Sequence, residues 1–224
     1  MSSTASALAD RPQTLGEEIA NAISHGLGTL LAMAALPILV TRAITHGGLA
    51  DVVAAAIFAC TGILLYGVST LYHALPASLA NGRIKSWLMR LDHAAIYVFI
   101  AGSYTPFTLG VLHSGPGVTL LVAVWAAAAF GVTIKLLNRL RHPLVSTALY
   151  LAMGWVVVFA IGPLVERTPG PGLVLLVAGG LSYTLGAVVF LFDNKLRSAH
   201  FVWHLFVLGG SVCHFFAALF YAYR

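Results

Sequence analysis

Three histidines and one aspartate sit in stretches that otherwise read as lipid-soluble. His200 and His204 form an H-x3-H pair at the start of the last apolar segment (HFVWHLFVLGGSVCHFFAALFYAY). His73 closes the second segment in the string STLYH, and Asp92 opens the third (LDHAAIYVFIAGSYTPF). Ionisable groups inside a bilayer are costly and tend to mark function. Residues four apart share a helix face, so His200 and His204 can point at one ion, with His73 as the third ligand. Three imidazoles beside a carboxylate suit a metal, zinc before the others. Three protein ligands with an open fourth position is the catalytic zinc pattern, in which water is acidified to a pKa of about 7. Asp92 would then hold that water and act as general base. Ser69, one turn before His73, would donate a hydrogen bond to a substrate carbonyl as charge develops there.

The spacing alone is a weak signal. It is not the zinc-protease H-E-x-x-H, because Phe201 stands where the glutamate belongs. The base must come from elsewhere, and Asp92 is the acidic residue placed for it. Histidines at span ends also bond to backbone or headgroups, which is the competing reading. Glu17, Asn21, Ser24 and His25 make a polar edge at the start of the first apolar segment, suited to helix packing or to support of the site rather than to ligation. His93 points about 100° away from Asp92 on a helix and is expected at the interface. His214 lies about 15 Å beyond His204 along the axis, too far to share its ion. His46, His113 and His142 fall between segments and are expected to face water.

The elements that carry these residues follow from composition. Of 224 residues, 59% are hydrophobic and only 8% charged, with mean hydropathy +0.92. A soluble domain carries about 25% charged residues, so this chain must use lipid as its solvent. Seven segments approach the roughly 20 residues that span a bilayer: 19–42, 50–74, 91–112, 117–137, 144–164, 171–192 and 200–222. The expectation is an all-α integral membrane protein with a polar, disordered tail over 1–15 and a seven-helix domain over 16–224. Thr14 and Glu17 fit a capping box before the first span, and Pro143 suits the first turn of the fifth. Cys60 and Cys213 lie inside apolar segments and read as small hydrophobes rather than as a disulfide. The first segment lacks the basic flank of a signal peptide and is expected to be retained. A net charge of +5 does not imply nucleic acid, since the basic residues form no stripe.

Basic residues orient membrane proteins. With a cytoplasmic N-terminus, Arg11, Arg83, Lys85, Arg90, Lys135, Arg139, Arg141, Lys195 and Arg197 face inward, and only Arg42, Arg167 and Arg224 face outward, nine against three. Seven spans then put the C-terminus outside. The second span ends, and the third and seventh begin, near the cytoplasmic face. His73, Asp92, His200 and His204 therefore fall at one depth, which favours a shared site over four unrelated interfacial groups.

The blocks EEIANAISHGLG, STLYH, LDHAAIYVFIAGSYTPF and HFVWHLFVLGGSVCHFF resemble the bacterial hemolysin III family, part of the progestin and adipoQ receptor group within a superfamily that includes alkaline ceramidases. The resemblance covers essentially the whole chain past the polar tail. It implies a seven-helix fold in the bacterial plasma membrane with a cytoplasmic N-terminus. It also implies a zinc ion near the inner face, held by one histidine of the second helix and two of the seventh, with an aspartate of the third helix reaching it through water. Those roles fall on His73, His200, His204 and Asp92, and the serine of the family's S-x3-H pattern is Ser69. The large cytoplasmic domain of eukaryotic receptor members has no counterpart, which argues against ligand reception of that kind.

Three functional classes follow. The first is a zinc-dependent hydrolase of lipid amide or ester bonds, ceramidase-like and serving membrane-lipid homeostasis, with membrane lipids as substrate or ligand. The second is a sensor or receptor of membrane state with structural zinc. The third is a haemolytic pore. A zinc transporter is a weaker fourth, because no ligand ladder crosses the bilayer.

Overall fold

A computed structural model describes residues 13–75, 82–113, 115–140 and 142–223. The expected tail falls mostly on residues 1–12, and Arg11, Arg141 and Arg224 of the charge argument also lie outside the described residues. Among the described residues, seven helices are long and apolar enough to cross a membrane: α1 (Leu15–His46), α2 (Leu49–Ala74), α3 (Gly82–Val111), α4 (Gly115–Leu136), α5 (Pro143–Arg167), α6 (Gly170–Phe190) and α7 (Ala199–Tyr221). All seven expected spans are present. The largest difference is α3, which begins nine residues before the expected start at 91, because the basic stretch Arg83–Arg90 is helical although it is not apolar.

Local chemistry sets the ends. Thr14 caps α1 in the expected box: its hydroxyl accepts from the Glu17 amide at 3.3 Å, and the Glu17 carboxylate accepts from the Thr14 amide at 2.8 Å. Pro143 opens α5. The Lys85 ammonium donates to the carbonyls of Tyr72 (2.5 Å) and Leu75 (2.9 Å), closing the C-terminus of α2 from the first turn of α3. Two spans are irregular inside. Pro106 lacks an amide hydrogen, and α3 continues past it as a π-helical turn over Phe107–Val111. In α5 a 3-10 stretch, Val156–Ala160, separates two α-helical parts.

The bundle is built for lipid outside and small or polar contacts within. Leu30, Ile44, Val122, Phe159 and Val174 are exposed, whereas Ala54, Ala55, Ala101, Ala217 and Ala218 are buried. With tails as apolar as leucine outside, helices associate by close packing of small residues. Gly102 shows it: a Cβ there would lie 2.0 Å from the Thr61 hydroxyl, so α2 and α3 can approach this closely only without one. The same holds where α6 meets α7, at Gly179, which faces the His214 ring, and at Gly210, which faces Tyr183. The aromatic cluster at the end of α7 is divided: Phe220 faces outward, but Tyr223 is buried. Cys60 and Cys213 are unpaired thiols.

Helices α1, α2, α3 and α4 pack in sequence, and α7 closes onto both α1 and α6, while α5 touches its neighbours sparsely. The gap around α5 is a cavity of about 1090 Å³. Its wall is mostly apolar, from Ile96, Ile100, Leu120, Leu151, Leu173 and Val177, and its polar end lies where α2 finishes and α3 and α7 start.

Candidate metal centre

At that end the structure brings His73, His200 and His204 together. One ligating atom of each lies within 4.8 Å of those of the other two. Nitrogens about 2.05 Å from a tetrahedral zinc would stand about 3.3 Å apart, so the group is slightly wider than a loaded site. The ring centroids of His73–His204, His73–His200 and His200–His204 are separated by 5.1, 5.0 and 4.8 Å. His73 and His204 are buried at 3% and 1% exposure, and His200 is partly open.

What turns three rings into a ligand set is the bonding on their far sides. His73 Nδ1 lies 2.5 Å from a Glu18 carboxylate oxygen, and His200 Nδ1 lies 3.0 Å from Asp193 Oδ2. Ionised carboxylates only accept, so both Nδ1 atoms carry the proton. The Ser24 hydroxyl donates its single proton to the Asn21 carbonyl at 2.8 Å, so the contact of 3.0 Å with His204 Nδ1 is donated by the histidine. All three rings therefore hold their protons on Nδ1 and present a bare Nε2. His73 Nε2 is buried without any partner, a costly state for a polar atom that a bound cation would relieve. Metal-ligating histidines almost always have this outer partner, which fixes the tautomer and raises basicity. An all-imidazole donor set suits zinc among the common cations.

Sequence reasoning missed Glu18 and Asp193. Glu17 caps α1 as expected and also accepts the Ser198 amide at 2.9 Å, tying the starts of α1 and α7 together. Its neighbour Glu18 turns inward, held between His73 and Lys85. Asp92 is thus one of three carboxylates at the site, and differs from the others in leaving histidine Nδ1 atoms alone. It is buried and within electrostatic range of His73 and His200. Ser69 is buried beside Asp92, and its hydroxyl makes no hydrogen bond of good geometry. Both line the cavity.

His25 does not join the ligand group. It stacks on His204 with 3.4 Å between centroids and 7° between planes, edge-on to Tyr66 behind it, and so backs the His204 ring as expected of a supporting residue. His214, too far along α7 to share the ion, sits inside the bundle with Nε2 3.3 Å from the Leu176 carbonyl. His93 and His142, expected at the interface and in water, both line the cavity.

The Glu18 contact makes a prediction. Glu18→Gln keeps the shape but removes the charge that holds the His73 proton, and is expected to weaken metal binding by about 10- to 100-fold. Competition with a chromophoric chelator measures it; unchanged affinity would mean that the Glu18–His73 contact is only a packing contact.

The comparisons agree with this architecture. The pattern of the haemolysin-III related family matches residues 13–215. A Hemolysin-3 homolog of Bacillus subtilis (strain 168) is 44% identical over 211 residues, covering 94% of this chain and 97% of the relative. Hemolysin-3 of Bacillus cereus is 45% identical over 209 residues, 93% of each chain. The Monocyte to macrophage differentiation factor of Homo sapiens is 30% identical over 216 residues, covering 94% of this chain and 87% of its own. Matching almost end to end, with seven membrane-length helices, this multi-pass membrane protein belongs to the haemolysin III family, within the progestin and adipoQ receptor group.

Proposed function

We propose that the protein is a zinc-dependent hydrolase of lipid amide or ester bonds, with its site at the cytoplasmic end of the bundle. The observation that carries the reading is the convergence of three histidines, each with its Nδ1 bonded on the far side, beside a carboxylate that bonds no histidine, Asp92, in the wall of a large apolar cavity. A purely structural metal needs neither the free carboxylate nor the cavity.

His73, His200 and His204 would hold the ion. Zinc, when bound, supplies a Lewis acid that polarises a carbonyl and acidifies water. The chain's own residues do the rest. The apolar wall from Ile96 to Val177 takes an acyl chain, which would enter sideways from the bilayer where α5 packs sparsely on α6. Asp92 accepts the proton of the attacking water, and later passes it to the leaving nitrogen or oxygen. Ser69, buried beside Asp92, donates to the carbonyl oxygen as negative charge builds on it.

Purified protein in neutral lipid nanodiscs should release fatty acid from an N-acyl lipid, and a chelator should abolish the release. Metal-loaded protein that binds N-acyl and acyl-ester lipids yet never turns them over would replace this reading with a sensor holding structural zinc. Lysis of red cells by detergent-free protein would favour instead the activity that the names of the Bacillus relatives state.

A further inference from the structure

The same cavity holds a cation that the metal centre does not use. Lys135, at the last turn of α4, is buried at 8% exposure and lines the cavity. Its ammonium donates to the Leu140 carbonyl at 3.3 Å and to the Ser146 hydroxyl at 3.2 Å, both neutral acceptors. An ammonium has three donors, so one is unspent. Among the described residues it makes no direct ion pair. Of the site's carboxylates, Glu18 and Asp193 are committed to histidines, and Asp92 acts on Lys135 only from beyond pairing distance. A buried charge without a partner is costly. One residue past Ser146, Thr147 is 3% exposed, lines the same cavity, and has a hydroxyl with no hydrogen-bond partner. A buried lysine with a spare donor and a buried, unsatisfied hydroxyl thus line the same largely apolar chamber as the histidines.

We propose that Lys135 and Thr147 form an anion subsite that takes the carboxylate or phosphate of an amphiphile whose chain lies along the apolar wall. The ammonium supplies the charge and its third donor, and the Thr147 hydroxyl supplies a second hydrogen bond. Asp92 lies within electrostatic range of both Lys135 and the histidines. Taken with the hydrolase reading, on which this step alone rests, the substrate class narrows to acyl amides or esters whose non-acyl part carries a negative group. The acyl carbonyl would sit at Ser69 and the anion at Lys135. The alternative role for Lys135 is to close the turn between α4 and α5, which would give it no preference among ligands.

The test is a binding experiment with probes that cannot be cleaved. Oleyl phosphate, oleate and oleyl alcohol share one chain and differ in head charge. Each competes against a fluorescent fatty alcohol for the protein in nanodiscs of zwitterionic lipid. In the wild type at least one anionic probe should bind about tenfold or more tightly than the alcohol, the worth of a charge-assisted hydrogen bond, and which one leads tells carboxylate from phosphate. Lys135→Gln should bring that probe level with the alcohol, whose affinity stays unchanged, while Lys135→Arg keeps the preference. Thr147→Val should cost the anion a few-fold and the alcohol nothing, which keeps the test decisive should Lys135→Gln fail to fold. A wild type without charge preference, or a preference that survives Lys135→Gln because the metal alone provides it, overturns the proposal. Neither result depends on turnover, so a protein that binds the anion but hydrolyses nothing would fail the hydrolase reading and keep this one.

Discussion

Alanine in place of His73 or His204 should cost the metal affinity about 100- to 1000-fold. That is one ligand's share of the roughly 10–16 kcal/mol that a four-ligand zinc site yields. Wild-type protein purified without chelator should carry one ion per chain, and either variant should lose most of it on dialysis, as measured by metal mass spectrometry. His200→Ala should cost less than the other two, because His200 is partly open and sits beside Asp193, a carboxylate that can move in as a replacement oxygen ligand. Ligation needs unprotonated Nε2 atoms, so affinity should fall as pH falls. Since metal binds the folded bundle alone, chelation should lower the melting temperature of the wild type and leave His204→Ala unmoved. A wild type devoid of stoichiometric metal, or a His204→Ala protein that retains it, would sink the metal centre.

The clustered histidines were legible in the sequence because two independent patterns select them. Helical spacing puts His200 and His204 on one face, and the alternation of spans puts His73 and Asp92 at the same depth. The spans themselves follow from bulk hydropathy, which tolerates errors of a few residues at each end. The partners of the histidines were not legible, for reasons of angle. Glu17 and Glu18 are adjacent, so one must point about 100° from the other, and hydropathy fixes the phase of α1 only loosely because most of its surface faces lipid. Once α1 is packed on α2 and α7, Glu17 is left at the cap and Glu18 meets His73. Asp193 follows α6 in a run of turns, where no periodicity applies. Lys135 was read as one more basic residue at a cytoplasmic end. Its burial depends on how the α4–α5 turn folds back over it, and that is set by tertiary contacts to Leu140 and Ser146. The missing signals share one feature: each concerns where a polar side chain goes after helices have docked.

Asp92→Asn separates chemistry from metal binding. Asparagine keeps the volume of aspartate, so it leaves the packing at the start of α3 undisturbed. Asp92 contributes to none of the three Nδ1 bonds that orient the ligands, so the ion should stay at wild-type stoichiometry. What is lost is the proton acceptor. A positioned general base is worth about 10²–10⁴ in rate, and hydrolysis of an N-acyl lipid should fall by that factor in kcat with KM little changed, since the acyl chain binds along apolar side chains from Ile96 to Val177 rather than against the carboxylate. Ser69→Ala should fall less, by about 10²-fold, and also in kcat, because its hydrogen bond strengthens only as the carbonyl oxygen gains charge. The distinction matters because a structural metal predicts another pattern. If the ion only braces α2 against α7, Asp92→Asn relieves a buried carboxylate of its desolvation, and the variant should be as stable as the wild type or more so, with no activity to lose. Full metal and a rate within a few-fold of the wild type in Asp92→Asn would remove Asp92 as the base. The acceptor would then have to be one of the carboxylates now bound to histidine, Glu18 or Asp193, and the Nδ1 proton it holds would become part of the reaction rather than of the scaffold.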